Sequence, residues 1–261
     1  MHPALITTSW DDGHPSDMRL AEMLDRHGLT GTFYIPRSIP TGVLPDGEIR
    51  ELSNRFEIGA HTLNHVFLSD TDRHTAEREI AGSKGWVEEI TGKRCEMFCP
   101  PAGRYKRFHL PMFRDAGYAG IRSVEFMSLD WPRENRLSLL EMPTTLQVFN
   151  HPAASYVRNA AKRAAIANLW RYVIYGRSTS WAVLARRLLA RVCSVGGVFH
   201  LWGHSWELDA NESWGELEDV MGLMADAVRS GVPCLTNGEV CRRVRHEVVG
   251  ASPAITRPLR Q

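Results

Sequence analysis

The chain has no CxxC pair, no apolar run long enough to cross a bilayer and, between Pro152 and Trp206, no acidic residue. Its five cysteines (Cys95, Cys99, Cys193, Cys234, Cys241) are odd in number and scattered, which argues against a disulfide framework and a structural zinc site and fits a reducing compartment. The amino-terminal "MHPALITTSW" lacks a basic start followed by a long apolar stretch, so neither an export signal nor a membrane span is expected, and the expected location is cytoplasmic. A formal net charge of +1 gives no global pull toward nucleic acid, and any steering must be local. Repeats and low-complexity segments are missing too. With 261 residues and 43% hydrophobic content, the chain can bury one sizeable core, and a single domain over 1–261 is expected.

What is present is an alternation of short apolar runs with amphipathic segments. "ALITTSW", "TGTFYIP", "FEIGAH", "MFCPP", "YAGIRSV", "GGVFHLWGHS" and "VPCLT" read as strands. Ser16 is the expected N-cap of a helix that sets Leu20, Met23, Leu24 and His27 on one face and closes at Gly28. "TAEREIAGSKGWVEEITG", "KRFHLPMFRDAG" and "WGELEDVMGLMADAVRSG" read as further helices. Such alternation implies parallel strands with crossover helices, in an irregular or incomplete α/β barrel first and an open doubly wound sheet second. Either way, chemistry collects at the carboxyl ends of the strands. The acid-free stretch carries Arg158, Lys162, Arg163, Arg171, Arg177, Arg186, Arg187 and Arg191 among Tyr156, Trp170, Tyr172 and Trp181. It reads as a helical insertion at about 152–195, with a solvated basic face or a surface for anionic lipid at the inner membrane face or for an anionic substrate.

Three constellations stand at predicted strand ends. Asp11 and Asp12 follow the first strand; Asp-Asp-Gly is also good turn chemistry, but two adjacent acids are most easily tolerated with a cation beside one of them. His61 ends another strand and His65 follows four residues on; a helical start at Thr62 would put both imidazoles on one face, within reach of one ion. Asp12 would complete a set of two histidines and one carboxylate, which leaves positions open for water and substrate. Of His200 and His204, the first suits a hydrogen-bonded core position and the second, after Gly203, a catalytic one.

These residues resemble the polysaccharide deacetylases of the NodB homology type, carbohydrate esterase family 4. "SWDDG" at 9–13 is similar to that family's T-F-D-D-G and "HTLNH" at 61–65 to its H-[ST]-x-x-H. "CPPAG" at 99–103 looks like its R-x-P-[YF]-G, and "LWGH" at 201–204 like its L-x-H. The resemblance implies an irregular (β/α) barrel and a hydrolase that removes an N-acetyl group from an amino sugar in a polysaccharide, glycoconjugate precursor or small glycoside. It implies Asp11 as general base, Asp12, His61 and His65 as ligands of a divalent ion (zinc first, with cobalt, manganese or iron as substitutes), and His204 as general acid. Pro101, Gly103, Arg104, Tyr105 and Trp202 are the expected substrate contacts, with an oxyanion donor among the backbone N–H groups near Pro101 to Gly103. No nucleic-acid partner is expected. Two departures stand out: Cys99 occupies the place of the arginine that orients the base, so Asp11 is either held by another residue, with Arg104 and Arg122 as candidates, or less well tuned, and Ala102 replaces the aromatic. The tryptophan-bearing fourth motif has two candidates, "SLDWP" at 128–132 and "SWEL" at 205–208. Alternatives with the same constellation are a hydrolase of another amide, such as an N-formyl sugar or cyclic imide, and a carbohydrate-binding descendant without activity.

Overall fold

The computed structural model describes residues 3–175 and 177–250. Its strands are β1 (Ala4–Asp11), β2 (Thr32–Ile35), β3 (Glu57–Ala60), β4 (Met97–Phe98), β5 (Gly120–Arg122), β6 (Arg133–Glu134), β7 (Leu140–Met142), β8 (Leu146–Gln147) and β9 (Gly197–Gly203). They form one sheet in the order β6-β7-β5-β4-β3-β2-β1-β9-β8, parallel throughout except for the β6–β7 pair. Helices α1 (Asp17–Arg26), α2 (Asp46–Ser53), α3 (Arg73–Thr91) and α4 (Leu110–Asp115) follow the early strands. Helices α5 (Ala153–Lys162), α6 (Ile166–Ile174) and α7 (Trp181–Val195) separate β8 from β9, and α8 (Ser205–Ala210), α9 (Trp214–Arg229) and α10 (Asn237–Gly250) follow it.

The sheet curls because its connectivity requires it. β7 and β8 sit toward opposite ends of the strand order, yet only Pro143, Thr144 and Thr145 separate them. Four Cα–Cα steps span at most about 15 Å, so the two ends must approach and the sheet becomes a barrel left open at one seam. The loop after β5 fills that seam: the N–H groups of Met127 and Ser128 donate to the carbonyls of Thr145 (2.7 Å) and Thr144 (3.3 Å), and Ser123 N–H donates to Met142 O (2.9 Å). The expected irregular α/β barrel is therefore the fold found.

Strand alternation sorts the side chains into two layers. Leu5, Tyr34, Met97, Cys99, Leu140, Met142 and Val198 pack together inside the barrel, with Val240 and Cys241 of α10 beside them. Ile6, Trp10, Phe33, Ile35, Phe98, Phe199 and Leu201 join the core that the strands share with the surrounding helices. Since Leu5 points inward, so do Thr7, Ser9 and Asp11. Thr7 accepts from Asn237 Nδ2 (2.8 Å), and Ser9 Oγ lies 2.8 Å from His200 Nε2.

Several local expectations change. Ser16 occupies the N-cap of α1 in a helical conformation, and its hydroxyl donates to Asp209 instead of capping the helix. Leu20, Met23 and Leu24 are buried as expected, whereas His27 is the C-cap residue and meets Glu218 at 2.7 Å. "VPCLT" forms no strand; Cys234 makes one isolated bridge to Ile6. Within the expected insertion, α7 packs on β1, β8, β9 and α9, so it is the crossover helix of the barrel, and α5 with α6 forms the added pair. Among the described residues, no helix is long and apolar enough to cross a membrane.

Candidate active site

The adjacent acids part company at the end of β1. Asp11 is the last residue of the strand and keeps its inward parity; Asp12 adopts φ +81°, outside the region a strand residue occupies, and turns its carboxylate to the rim. Gly13 continues the turn at φ +62°, and a Cβ there would lie 2.5 Å from Ile35 Cγ2, so both conformation and space call for glycine. Two neighbouring negative charges thus face different partners.

Asp11 meets a cation inside the barrel. Arg122, at the inward-facing end of β5, is fully buried and donates through Nη2 to the Asp11 carboxylate. Its guanidinium lies 4.6 Å from the ring centroid of Trp202 and 5.4 Å from that of Tyr34, between aromatic faces that suit a desolvated cation. Burial pushes the Asp11 carboxyl upward, but the charge of Arg122, and then those of His61 and His204, outweigh it and hold the pKa below the ordinary 3.8. The arginine absent from the CPPAG turn is therefore supplied from another strand. Arg104, the other candidate, lies at the surface, 3.1 Å from Asp70 and over the Phe67 ring at 4.5 Å.

At the rim, Asp12 Oδ1 lies 3.6 Å from His61 Nε2 and 3.1 Å from His65 Nε2. The two imidazoles, with ring centroids 5.1 Å apart, do not share a helix as expected. Residues 61–67 form a tight turn in which Thr62 (φ +64°) and His65 (φ +50°) are left-handed. Glu79, a buried carboxylate on α3, holds that turn by accepting from the N–H groups of Leu63 (2.8 Å) and Asn64 (2.9 Å) and from Asn64 Nδ2 (2.6 Å). Three hydrogen bonds to one carboxylate over-determine a conformation that would otherwise be unfavourable.

The same three residues fit a divalent ion. His61 Nδ1–H donates to the Cys99 carbonyl (2.6 Å), which leaves Nε2 as the lone-pair nitrogen facing Asp12. Asp12 Oδ1 is buried without a hydrogen-bond donor, and one ligand atom from each of Asp12, His61 and His65 lies within 4.8 Å of the others. Burial raises the Asp12 carboxyl, but His61 and His65 reverse it and keep the group ionised well below the usual carboxylate range. Asp11, His61 and Cys99 also cluster, but burial pushes the Cys99 thiol far up and Arg122 already neutralises Asp11. A protonated thiol and a paired carboxylate make the poorer ligand set.

His204 begins the chain's turn after β9, with Nε2 3.9 Å from Asp12 Oδ2 and Nδ1 2.8 Å from Glu207 Oε2. Glu207 is held in turn by Gln147 Nε2, which donates to both carboxylate oxygens (3.1 and 3.0 Å), and Gln147 Oε1 lies 2.9 Å from His151 Nε2. Burial alone would lower the His204 pKa; the Glu207 hydrogen bond and the charge of Asp11, with those of Glu207 and Asp12 behind them, carry it up to about 9. His200 behaves oppositely: enclosed by Ser9 and by Pro143 O (2.8 Å), it is pushed by burial down to about 3 and stays neutral, the core histidine expected of the pair.

The expected substrate contacts divide. Pro101 is buried in the 3-10 turn Pro101–Gly103, and Gly103 (φ +63°) abuts Val124. Tyr105 packs edge-on against Phe113 at 5.8 Å, and Arg104 sits beyond Phe67, itself 6.5 Å from His65. Trp202 differs from its expected place as a substrate contact: it keeps the inward parity of β9, is 5% exposed, and serves as the platform under Arg122. The indole at the rim belongs to Trp206, which is 40% exposed, donates through Nε1 to Asp12 Oδ2 (2.9 Å) and lies 5.3 Å from the His204 ring. Of the two tryptophan-bearing candidates, "SWEL" thus stands in the site. Glu79 and Gln147 were not singled out as site residues from the sequence, and Trp206 and Glu207 entered only as members of "SWEL". The one available signal was spacing: Trp206 and Glu207 follow His204 within a single helical turn.

The barrel thus gathers two acids and three histidines at the carboxyl ends of β1, β3 and β9, an arrangement with the donors to hold an ion and the acid and base groups to move protons. Residues 1–121, a little under half of the chain, match the family model described as polysaccharide deacetylase. The matched stretch holds Asp11, Asp12, His61, His65 and Cys99 and ends one residue before Arg122. No curated protein matches the chain in sequence. Among solved structures, a polysaccharide deacetylase fold from Mycobacterium smegmatis is 16% identical with a TM-score of 0.68, over 99% of this chain and 98% of that one. The Bc1960 peptidoglycan N-acetylglucosamine deacetylase is 13% identical with a TM-score of 0.55, over 91% and 88%. The Xyl-CE4 domain of a multidomain xylanase from the hindgut metagenome of Trinervitermes trinervoides is 11% identical with a TM-score of 0.53, over 94% and 92%. At these identities the structural likeness is one of fold.

Proposed function

We propose that the protein is a metal-dependent N-deacetylase of an acetylated amino sugar. The observation that carries this reading is the separation of the two adjacent acids, one paired to an arginine and one facing two histidines. Asp12, His61 and His65 would hold a divalent ion, zinc by preference for this donor set, which would supply Lewis acidity when bound. Asp11, kept ionised by Arg122, accepts the proton of the attacking water. As the water oxygen bonds to the acyl carbon, the developing oxyanion needs a donor. Pro101 has no N–H and that of Gly103 is used by Pro100 O (2.8 Å), so the loop offers Ala102 N–H. His204, protonated, gives its proton to the amine nitrogen as the C–N bond breaks, releasing acetate and the free amino sugar. Trp206 walls the rim beside both Asp12 and His204 and offers an exposed aromatic face of the kind that sugars stack on.

The reading is tested by loading the protein with zinc, cobalt or manganese and supplying N-acetylated and N-formylated mono- and oligosaccharides. Acetate release that requires His61 and stops with a chelator is the expected result. Formate release alone would move the substrate to N-formyl sugars. No release from any saccharide, with about one ion bound per chain, overturns the reading.

Glu207→Gln gives a pH test. The working form of His204 is the protonated one, so activity is present below its pKa of about 9 and lost as pH rises through it. Removing the Glu207 carboxylate removes the largest influence that raises this pKa, so the alkaline limb of kcat should move to lower pH while the acid limb stays. An unchanged alkaline limb would detach Glu207 from proton donation.

A further inference from the structure

Helix α6 is amphipathic the wrong way round for a helix on a barrel wall. Its polar side chains face the protein: Asn168 Nδ2 donates to Glu125 (3.1 Å), and Arg171 donates to Asp130 (2.9 Å) and to Met127 O (3.2 Å). Tyr172 stacks on Tyr156 of α5 at 4.5 Å, which joins the two helices. The apolar residues face out. Ile166, Trp170 and Ile174 are 70%, 61% and 68% exposed, Val173 accompanies them, and their spacing of four, three and one residues places all four on one stripe. Isolated exposed apolar residues need no explanation, but a contiguous stripe on one helix face does.

The surrounding charge selects the occupant. Arg158, Lys162 and Arg163 on α5 and at its end are exposed, and among the described residues none of the three lies at ion-pair distance from a carboxylate. The whole segment from Pro152 to Trp206 has no acid. A second copy docked by a two-fold axis would set this cationic rim against itself. A surface that is apolar at depth and anionic at its boundary matches both features. Trp170, with a large apolar ring and one N–H, suits the headgroup level, and a nine-residue helix of about 13 Å lies on a bilayer without crossing it.

We infer that α5 and α6 form a docking surface for an anionic lipid bilayer, with the Ile166–Trp170–Val173–Ile174 stripe entering the interface and Arg158, Lys162 and Arg163 meeting the headgroups. This is independent of the deacetylase reading, because no residue of the surface belongs to the site. The test is co-sedimentation of the intact protein with vesicles of phosphatidylcholine alone and of phosphatidylcholine mixed with phosphatidylglycerol, at low and physiological salt, beside size-exclusion chromatography. Wild type should pellet with the anionic vesicles, less so as salt rises, and remain in solution with the neutral ones. Trp170→Ser with Ile174→Ser should weaken partitioning about tenfold or more, since full burial of either side chain is alone worth at least that factor. Arg158→Glu with Lys162→Glu should weaken it and flatten its salt dependence. Circular dichroism and an unchanged melting transition establish that the variants fold. Absence of wild-type pelleting with anionic vesicles overturns the inference, as does equal pelleting of the W170S/I174S variant. A dimer that the same variant dissolves would assign the stripe to a second copy instead.

Discussion

Asp11→Asn should keep the metal and lose about two to four orders of magnitude in turnover, the usual contribution of a positioned general base. Asp12→Asn should lose metal affinity first and activity as a consequence. The two residues are neighbours in sequence and nearly isosteric in their replacements, so the contrast rests on placement alone. Asp11 faces Arg122 inside the barrel, where an amide still fills the space and accepts a hydrogen bond but cannot take a proton. Asp12 offers its undonated Oδ1 to the histidine pair, and an amide oxygen there lacks the charge that a divalent ion requires. Metal content after dialysis and turnover at saturating metal separate the two. If Asp11→Asn emerges without metal while Asp12→Asn retains it, the roles are exchanged.

Arg122→Met carries the larger structural cost. It leaves the Asp11 carboxylate buried without its cation, a situation that typically costs about 3–5 kcal/mol, and in a domain of this size each 1 kcal/mol moves Tm by about 2–4 °C. The pH profile should change as well. With Arg122 present, Asp11 is ionised from below its ordinary pKa upward; without it, burial raises the pKa, and activity lost on acidification disappears at a higher pH. The double variant D11N/R122M removes both charges and should recover much of the lost stability. Thermal unfolding of the two single variants and the double variant gives the coupling directly. Strict additivity would mean that Arg122 supports the barrel through Trp202 and Tyr34 rather than through Asp11.

How legible this site was depends on whether its parts repeat a local pattern. The alternation of short strands with helices exposed the barrel, and the strand ends marked Asp11, Asp12, His61 and His204 as positions where chemistry collects. The Arg122 pairing needed long-range parity: three strands lie between β1 and β5, and only the inward register of both makes residue 122 face residue 11. Trp202 was misplaced for the same reason, since one residue of parity decides between the barrel interior and its mouth. The His61–His65 turn failed differently. Two residues at that spacing suit a helix, and the left-handed alternative is held by Glu79, a carboxylate fourteen positions downstream that no local rule connects to the motif. Glu207 was closest to being readable, because it follows His204 by three residues on one helical turn.

The pairing of β1 with β9 has a consequence for how the protein is made. These strands share the longest ladder of the sheet, Ala4 through Trp10 against Gly197 through Gly203, and so join the first residues of the chain to residues nearly two hundred positions later. Until β9 emerges, one edge of β1 has no backbone partner, and the apolar side chains of that strand wait on a contact that local structure cannot supply. Completing the sheet therefore requires a high-separation closure, of the kind that slows folding and leaves a strand edge unpaired until it forms. Asp11 and His204 sit at the far ends of those same two strands. The groups that would move protons in the reaction therefore come together only once residues 197–204 have been translated.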